Sequence, residues 1–121
     1  MEIKIFSSGG FSIAELVSEQ VEINDQQDAL DIMADAGYQG ANRLIVSEQN
    51  LHPDFFDLKT RLAGEILQKF STYNAYLAII GDFSKYPGKS LKDFIYESNK
   101  MGRISFVTTK EEALRALTKR P

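Results

Sequence analysis

The chain contains no cysteine, no tryptophan and only one histidine among its 121 residues. The lack of cysteine excludes disulfides, iron–sulfur clusters, thiolate zinc sites and cysteine nucleophiles. A single histidine also removes most histidine-based metal sites. The sequence therefore predicts a protein without a bound metal or other cofactor.

Long apolar runs and long basic runs are missing as well. No apolar run approaches the roughly 20 residues that a membrane-spanning helix needs, and the first residues lack the pattern of a secretion signal. With 14 basic against 17 acidic residues and a pI near 5.1, the chain is mildly acidic. Nucleic acid and anionic membranes are therefore poor partners. We expect a cytoplasmic location.

What is present is the composition of a folded domain. Hydrophobic residues make up 43% of the chain and charged residues 26%, whereas a disordered chain has far fewer apolar groups. The length fits one core, and neither a proline-rich linker nor an internal repeat divides it. We expect residues 1–121 to form a single domain.

The N-terminal residues predict a β-hairpin at one edge of a sheet. Polar and apolar side chains alternate over residues 2–6, and a second extended stretch begins at Phe11. Gly9 and Gly10, between the two stretches, supply the positive φ angles that a tight turn needs.

Helices and strands alternate through the rest of the chain. Three helices have predicted N-terminal caps: Asn24 for a helix over 25–36, Ser90 for a helix that ends at Gly102, and Thr109 for the final helix. Apolar spacing predicts a long helix over 55–70 and strands over 44–46, 76–80 and 103–107, with the strand over 76–80 in the middle of the sheet. Strands joined by single helices run parallel with right-handed crossovers. The order ββαβαβαβα thus predicts an α/β fold with a mixed sheet of about five strands, of which the last three are parallel.

The predicted long helix has an unusually broad apolar face. One sheet cannot easily bury an arc of this width, and a glycine inside a helix, which costs about 1 kcal/mol relative to alanine, indicates a close backbone approach. We therefore expect part of this face to bind a protein partner or a second copy in a homodimer. The alternative is burial beneath the loop over 48–54 and a neighbouring helix. The expected interface residues are Phe55, Phe56, Ala63, Gly64 and Leu67.

Polar residues at the carboxyl ends of the parallel strands predict a small-molecule site. Asp82, Ser84 and Lys85 follow one strand, and an acid, a hydroxyl and an amine together can bind a phosphate or a carboxylate. Asp82 can equally cap the turn after the strand. His52 next to Asp54 offers a general base or a metal ligand. The alternative is a surface-loop histidine, since no nucleophile or second ligand matches it.

Several blocks of the sequence resemble one known family. They are residues 56–59 (FDLK), 63–70 (AGEILQKF), 77–82 (LAIIGD), 93–99 (DFIYESN), 104–106 (ISF) and 111–114 (EEAL). On these blocks the chain resembles, over essentially its whole length, the uncharacterised bacterial family called domain of unknown function 4180. The element order is also similar to the SpoIIAA-like branch of the STAS fold, the fold of anti-sigma-factor antagonists. The resemblance implies a fold and no reaction.

The STAS resemblance lacks one functional residue. Antagonists of that fold carry a phosphorylatable serine at the start of the helix after the central strand, where added charge breaks a partner interface. Here no Ser or Thr lies between Ser47 and Thr60. The phosphorylation switch is therefore not carried over.

Two functions from different classes fit the sequence. The first is a non-enzymatic bacterial domain that acts as a protein-interaction or regulatory module through the apolar helix face. The second is a small-ligand-binding domain, or a weak enzyme, that uses the carboxyl ends of the parallel strands. Phosphate-loop, dinucleotide-binding and serine-nucleophile motifs are missing, and both functions stay open at this point.

Overall fold

A computed structural model describes residues 1–119 of the chain. The strands are β1 (Glu2–Ser8), β2 (Phe11–Val17), β3 (Arg43–Ser47), β4 (Tyr76–Ile80) and β5 (Ile104–Val107), and the helices are α1 (Gln26–Tyr38), α2 (Leu62–Thr72), α3 (Lys89–Met101) and α4 (Lys110–Leu117). Three short 3-10 turns, over Glu48–Asn50, Pro53–Phe56 and Leu58–Thr60, connect β3 to α2. The order of strands and α-helices is the one predicted from the sequence.

The five strands form one mixed sheet in the order β1-β2-β3-β4-β5. β1 and β2 are antiparallel, and each later strand runs parallel to the one before it. The predicted mixed sheet, with its last three strands parallel and a hairpin at its edge, is confirmed. The strand over 76–80 is interior, as β4, but the middle place in the sheet belongs to β3.

The hairpin between β1 and β2 has the predicted glycine turn. Gly9 and Gly10 have φ angles of 57° and 86°, as a two-residue type I′ loop requires. Ser8 and Phe11 face each other as the last pair before the turn. This pair sets the hydrogen-bond alternation along the whole of β1.

The helices cover the two faces of the sheet unequally. On one face, α1, α2 and α3 pack in a core that includes Ile66, Leu91 and Leu77. On the other face, Leu117 of α4 packs with Ile45. The central parallel strands are therefore covered on both sides, as their nearly continuous apolar sequences predict.

The predicted helix over 55–70 is wrong in its first half. Two 3-10 turns occupy most of residues 53–60, and α2 begins only at Leu62. Asp57 caps the second turn through a 3.2 Å hydrogen bond from a backbone amide. Arg61 then has a left-handed φ of 68°, through which a right-handed helix cannot continue. The first aromatic residues of the predicted helix therefore lie in a turn.

Two of the predicted helix caps are also wrong. Asp25, and not Asn24, accepts the capping hydrogen bond at the start of α1. Gly88 precedes α3, which begins without a side-chain cap, so Ser90 lies inside the helix. The predicted cap Thr109 is confirmed, since its side chain accepts a hydrogen bond from the first turn of α4.

Candidate functional site

A cleft of about 500 Å³ opens where β3 and β4 end, at the carboxyl edge of the parallel strands. Open α/β sheets bind ligands at this edge. We call it the strand-end cleft. Its apolar lining residues are Val21, Leu51, Pro53, Phe56 and Ile80, and its polar ones are Ser47, Glu48, Gln49, Lys85 and Tyr86, with Gly81 between the strand ends.

Glu48 is at the centre of the polar groups. It is the first residue after β3, and its side chain is only 15% exposed. Its Oε1 accepts a hydrogen bond from the backbone amide of Asp82 (3.0 Å). Its Oε2 accepts a hydrogen bond from the Tyr86 hydroxyl (3.0 Å) and lies 3.0 Å from the Lys85 ammonium. The carboxylate thereby ties the end of β3 to the segment after β4.

These contacts determine the protonation states of Glu48 and Tyr86. Burial by itself raises the pKa of Glu48, but the hydrogen bonds from Asp82, Lys85 and Tyr86 outweigh it and hold that pKa below its usual value. The pKa of Tyr86 is raised to about 12, mainly by burial and to a lesser extent by the neighbouring Glu48 carboxylate. At neutral pH Glu48 is therefore ionised and Tyr86 is protonated.

This arrangement suits binding better than proton transfer. Glu48 is a poor general base because three donors already bind its carboxylate, and Tyr86 is a poor one because it keeps its proton. Lys85 has three ammonium protons, and its side chain is 55% exposed. The protons that Glu48 does not use are available to an anionic group in the cleft.

Gly81 allows Glu48 to lie close to the end of β4. An ideal Cβ placed on Gly81 would lie 2.8 Å from Cγ and 2.9 Å from Cβ of Glu48. Both distances are shorter than real Cβ contacts, and Cβ of Glu48 cannot move without its backbone. Any side chain at position 81 would therefore displace Glu48.

A buried aromatic ring holds Tyr86 in place. The rings of Phe56 and Tyr86 are stacked, with centroids 4.6 Å apart and planes 11° from parallel. Phe56 is 7% exposed and packs edge-on against Phe55, with centroids 5.1 Å apart. This packing positions the Tyr86 hydroxyl for its hydrogen bond to Glu48.

Asn50 fixes the loop beside the cleft. The residue is fully buried, and its side-chain amide donates to the carbonyl oxygens of Ser18 (3.0 Å) and Gln20 (2.9 Å). Its Oδ1 accepts a hydrogen bond from the Ser47 amide (2.9 Å). One side chain thus joins the segment after β2 to the end of β3.

The structure divides the predicted Asp82, Ser84 and Lys85 cluster. Lys85 lines the strand-end cleft. The Asp82 carboxylate accepts hydrogen bonds from the Ser84 hydroxyl (2.6 Å) and amide (3.1 Å), and these bonds lower the pKa of Asp82. Asp82 and Ser84 therefore form a turn, which is the alternative that the sequence left open. Their role in ligand binding stays a prediction.

His52 and Asp54 cap a turn next to the cleft. Nδ1 of His52 accepts a hydrogen bond from the Asp54 amide (3.0 Å) at the start of the turn over Pro53–Phe56. The same nitrogen lies 3.7 Å from the Asp54 carboxylate. In a neutral imidazole an accepting Nδ1 leaves the ring proton on Nε2, which is therefore a hydrogen-bond donor. A binding role for this pair stays a prediction.

The five predicted interface residues have different exposures. Phe55, Phe56 and Ala63 are buried within the chain. Leu67 is half-buried and Gly64 is exposed, and a Cβ placed on Gly64 would meet no atom within 4 Å. The predicted interface stays a prediction, and its accessible part is Gly64 with Leu67.

Two kinds of feature are absent from residues 1–119. No group of three or more His, Asp or Glu side chains is arranged to hold a metal ion. No helix there combines the length and the hydrophobicity needed to cross a bilayer.

Comparison with known proteins identifies a family and no characterised relative. The family model described as domain of unknown function (DUF4180) matches residues 8–117. No curated protein and no solved structure matches the chain. The expected likeness to the STAS fold therefore stays a prediction.

Proposed function

The chain belongs to the DUF4180 family, and we propose that it is a small-ligand-binding domain whose site is the strand-end cleft. The observation that carries this proposal is the contact between the ionised Glu48 and Lys85 inside a cleft with an apolar wall. Small-molecule sites combine apolar lining with a few polar groups that orient the ligand.

The chemistry of the cleft favours a small organic anion. Lys85 is the positively charged group that lines it, and the Tyr86 hydroxyl lies beside the same carboxylate oxygen of Glu48. A ligand carboxylate can bind the ammonium protons that Glu48 does not use, because charge-assisted hydrogen bonds are the stronger ones. Its apolar body would lie against Leu51 and Ile80.

Titration with benzoate, followed by amide NMR shifts, tests the proposed site. We expect benzoate to shift the amide signals of Gly81 and Asp82, and benzamide, which lacks the charge, to shift them less. Lys85→Met should raise the dissociation constant for benzoate about tenfold, because it removes a charge-assisted hydrogen bond.

Lys92→Met is the matched control, since Lys92 is an exposed residue of α3. It removes the same charge from the protein, so the affinity for benzoate should stay that of the parent chain. Equal loss of affinity in both variants, or no shift near the strand ends with either benzoate or octanoate, would contradict the proposal.

A second candidate function is self-association through α2. A groove of about 500 Å³ runs beside this helix, with Gly64 and the half-buried Leu58 and Phe94 among its lining residues. Charged residues including Arg61 and Lys69 also line the groove. Protein interfaces combine apolar with polar and charged side chains.

Gly64→Lys tests this second candidate. The exposed position has room for a side chain, so the variant should keep its fold while the long side chain blocks a close helix contact. We expect sedimentation velocity to show weaker self-association for Gly64→Lys and unchanged self-association for Gly64→Ala. Equal association of all three proteins would refute an interface at α2.

A further inference from the structure

β1 is an edge strand with unused backbone hydrogen-bonding groups. β2 pairs with one side of it, and among residues 1–119 no strand pairs with the other. Since Ser8 and Phe11 close a two-residue loop, they form a hydrogen-bonded pair, and alternation then points the amide and carbonyl groups of Ile3, Ile5 and Ser7 away from β2. A row of unpaired backbone amide and carbonyl groups can pair with another strand.

At the opposite edge of the sheet, the chain itself covers one residue of β5. Asn99 of α3 donates a hydrogen bond to the carbonyl oxygen of Phe106 in β5 (3.2 Å) and accepts one from its amide (2.7 Å). At Phe106 a side-chain amide thus takes the place of a neighbouring strand. In the described part of the chain, no side chain covers β1 in this way.

The side chains of β1 are complementary to a second copy of the same strand. Glu2 and Lys4 are exposed on one face, and Ile3 and Ile5 are half-buried against the core on the other. When two such strands pair antiparallel about Ile3, each Glu2 faces the other Lys4, and each Ile5 faces Met1, which is 69% exposed. We propose that the protein forms a homodimer in which the β1 strands pair about a two-fold axis at Ile3, joining the two sheets.

Charge selects this register over the neighbouring ones. Centring the pair at Lys4 would place two ammonium groups opposite each other, which is destabilising. Centring it at Ile5 would place Lys4 opposite Phe6 and leave Glu2 without an opposite charge. The register centred on Ile3 pairs every charge of β1 and lets the two Ile3 residues exchange both backbone hydrogen bonds.

Charge reversal tests the dimer and its register together. Sedimentation equilibrium would compare the parent chain with Glu2→Lys, Lys4→Glu and the double variant. Each single reversal places like charges opposite each other at two symmetric positions, so we expect the dissociation constant of the dimer to rise about tenfold. The double variant restores opposite charges and should return to within about threefold of the parent value.

Hydrogen exchange shows whether β1 is the contact. The amides of Ile3 and Ile5 should become protected as protein concentration rises, whereas the Lys4 amide, which points to β2, should be protected at all concentrations. Within the chain Lys4 faces Glu15 of β2, so melting temperatures of the monomeric variants measure this intrachain effect separately from dimer formation. A monomer at all concentrations, a double variant that stays weakened, or a dimer that only Gly64→Lys disrupts would overturn the proposal.

Discussion

At the scale of single residues, Gly81 is the position where a methyl group has the clearest effect. In Gly81→Ala the new Cβ would push Glu48 away and break its contacts with Asp82, Lys85 and Tyr86. We expect the free energy of unfolding to fall by about 1–3 kcal/mol, the usual cost of overpacking. Urea denaturation measures the loss.

Gly64→Ala is the matched control for this substitution. Gly64 lies inside α2, where a Cβ meets no neighbouring atom within 4 Å. Alanine should therefore stabilise the protein by about 0.5–1 kcal/mol, because it restricts the unfolded chain and favours the helix. If Gly81→Ala were as stable as Gly64→Ala, Glu48 would not be held as tightly as its distances indicate.

The sequence predicts where the site lies better than which residues form it. The carboxyl edge and Lys85 follow from the strand pattern, because parallel strands bring their ends together. The segment over 47–50 lies at the predicted edge, but the individual roles of Glu48 and Asn50 were missed, since their partners lie 34 and 32 residues away in the chain. A signal for Glu48 was present, as it is the first residue after a buried strand.

At the scale of elements, Asn99 links α3 to the edge of β5. Asn99→Ala would leave the Phe106 amide and carbonyl groups without their partner. We expect a loss of about 1–3 kcal/mol in the free energy of unfolding and faster hydrogen exchange of the Phe106 amide.

Asn99→Asp separates the two hydrogen bonds of this link. The carboxylate still accepts from the Phe106 amide but cannot donate to its carbonyl oxygen. The amide should therefore stay more protected from exchange in the aspartate variant than in the alanine variant. Equal protection of that amide in the parent chain and in Asn99→Ala would contradict the role assigned to Asn99.

The long helix shows why apolar spacing alone can mislead. Phe55 and Phe56 fit the apolar stripe of a helix over 55–70, but they are buried from a 3-10 turn. Periodicity reports which side chains face the core and cannot distinguish a helix from successive turns that bury the same residues. Arg61 separates the turn from the helix through its left-handed φ. Because the residue is not a glycine, the sequence gives no sign of that conformation.

At the scale of the whole molecule, the crossover rule accounts for the layers. α1, α2 and α3 each connect parallel strands that advance in one direction across the sheet. Right-handed crossovers in a constant direction place all three helices on the same face. α4 follows the last strand and has no such constraint, so its position on the opposite face did not follow from the element order.

The strand order has a consequence for how the sheet assembles. Every strand pairs with the strand before it in the chain, so no pairing waits for a segment synthesised much later. The sheet can grow from the hairpin, one strand and one helix at a time, while the chain leaves the ribosome. β5 is the last strand to join the sheet, and Asn99 binds its outer edge at Phe106. Asn99 is synthesised only a few residues before the strand that it contacts.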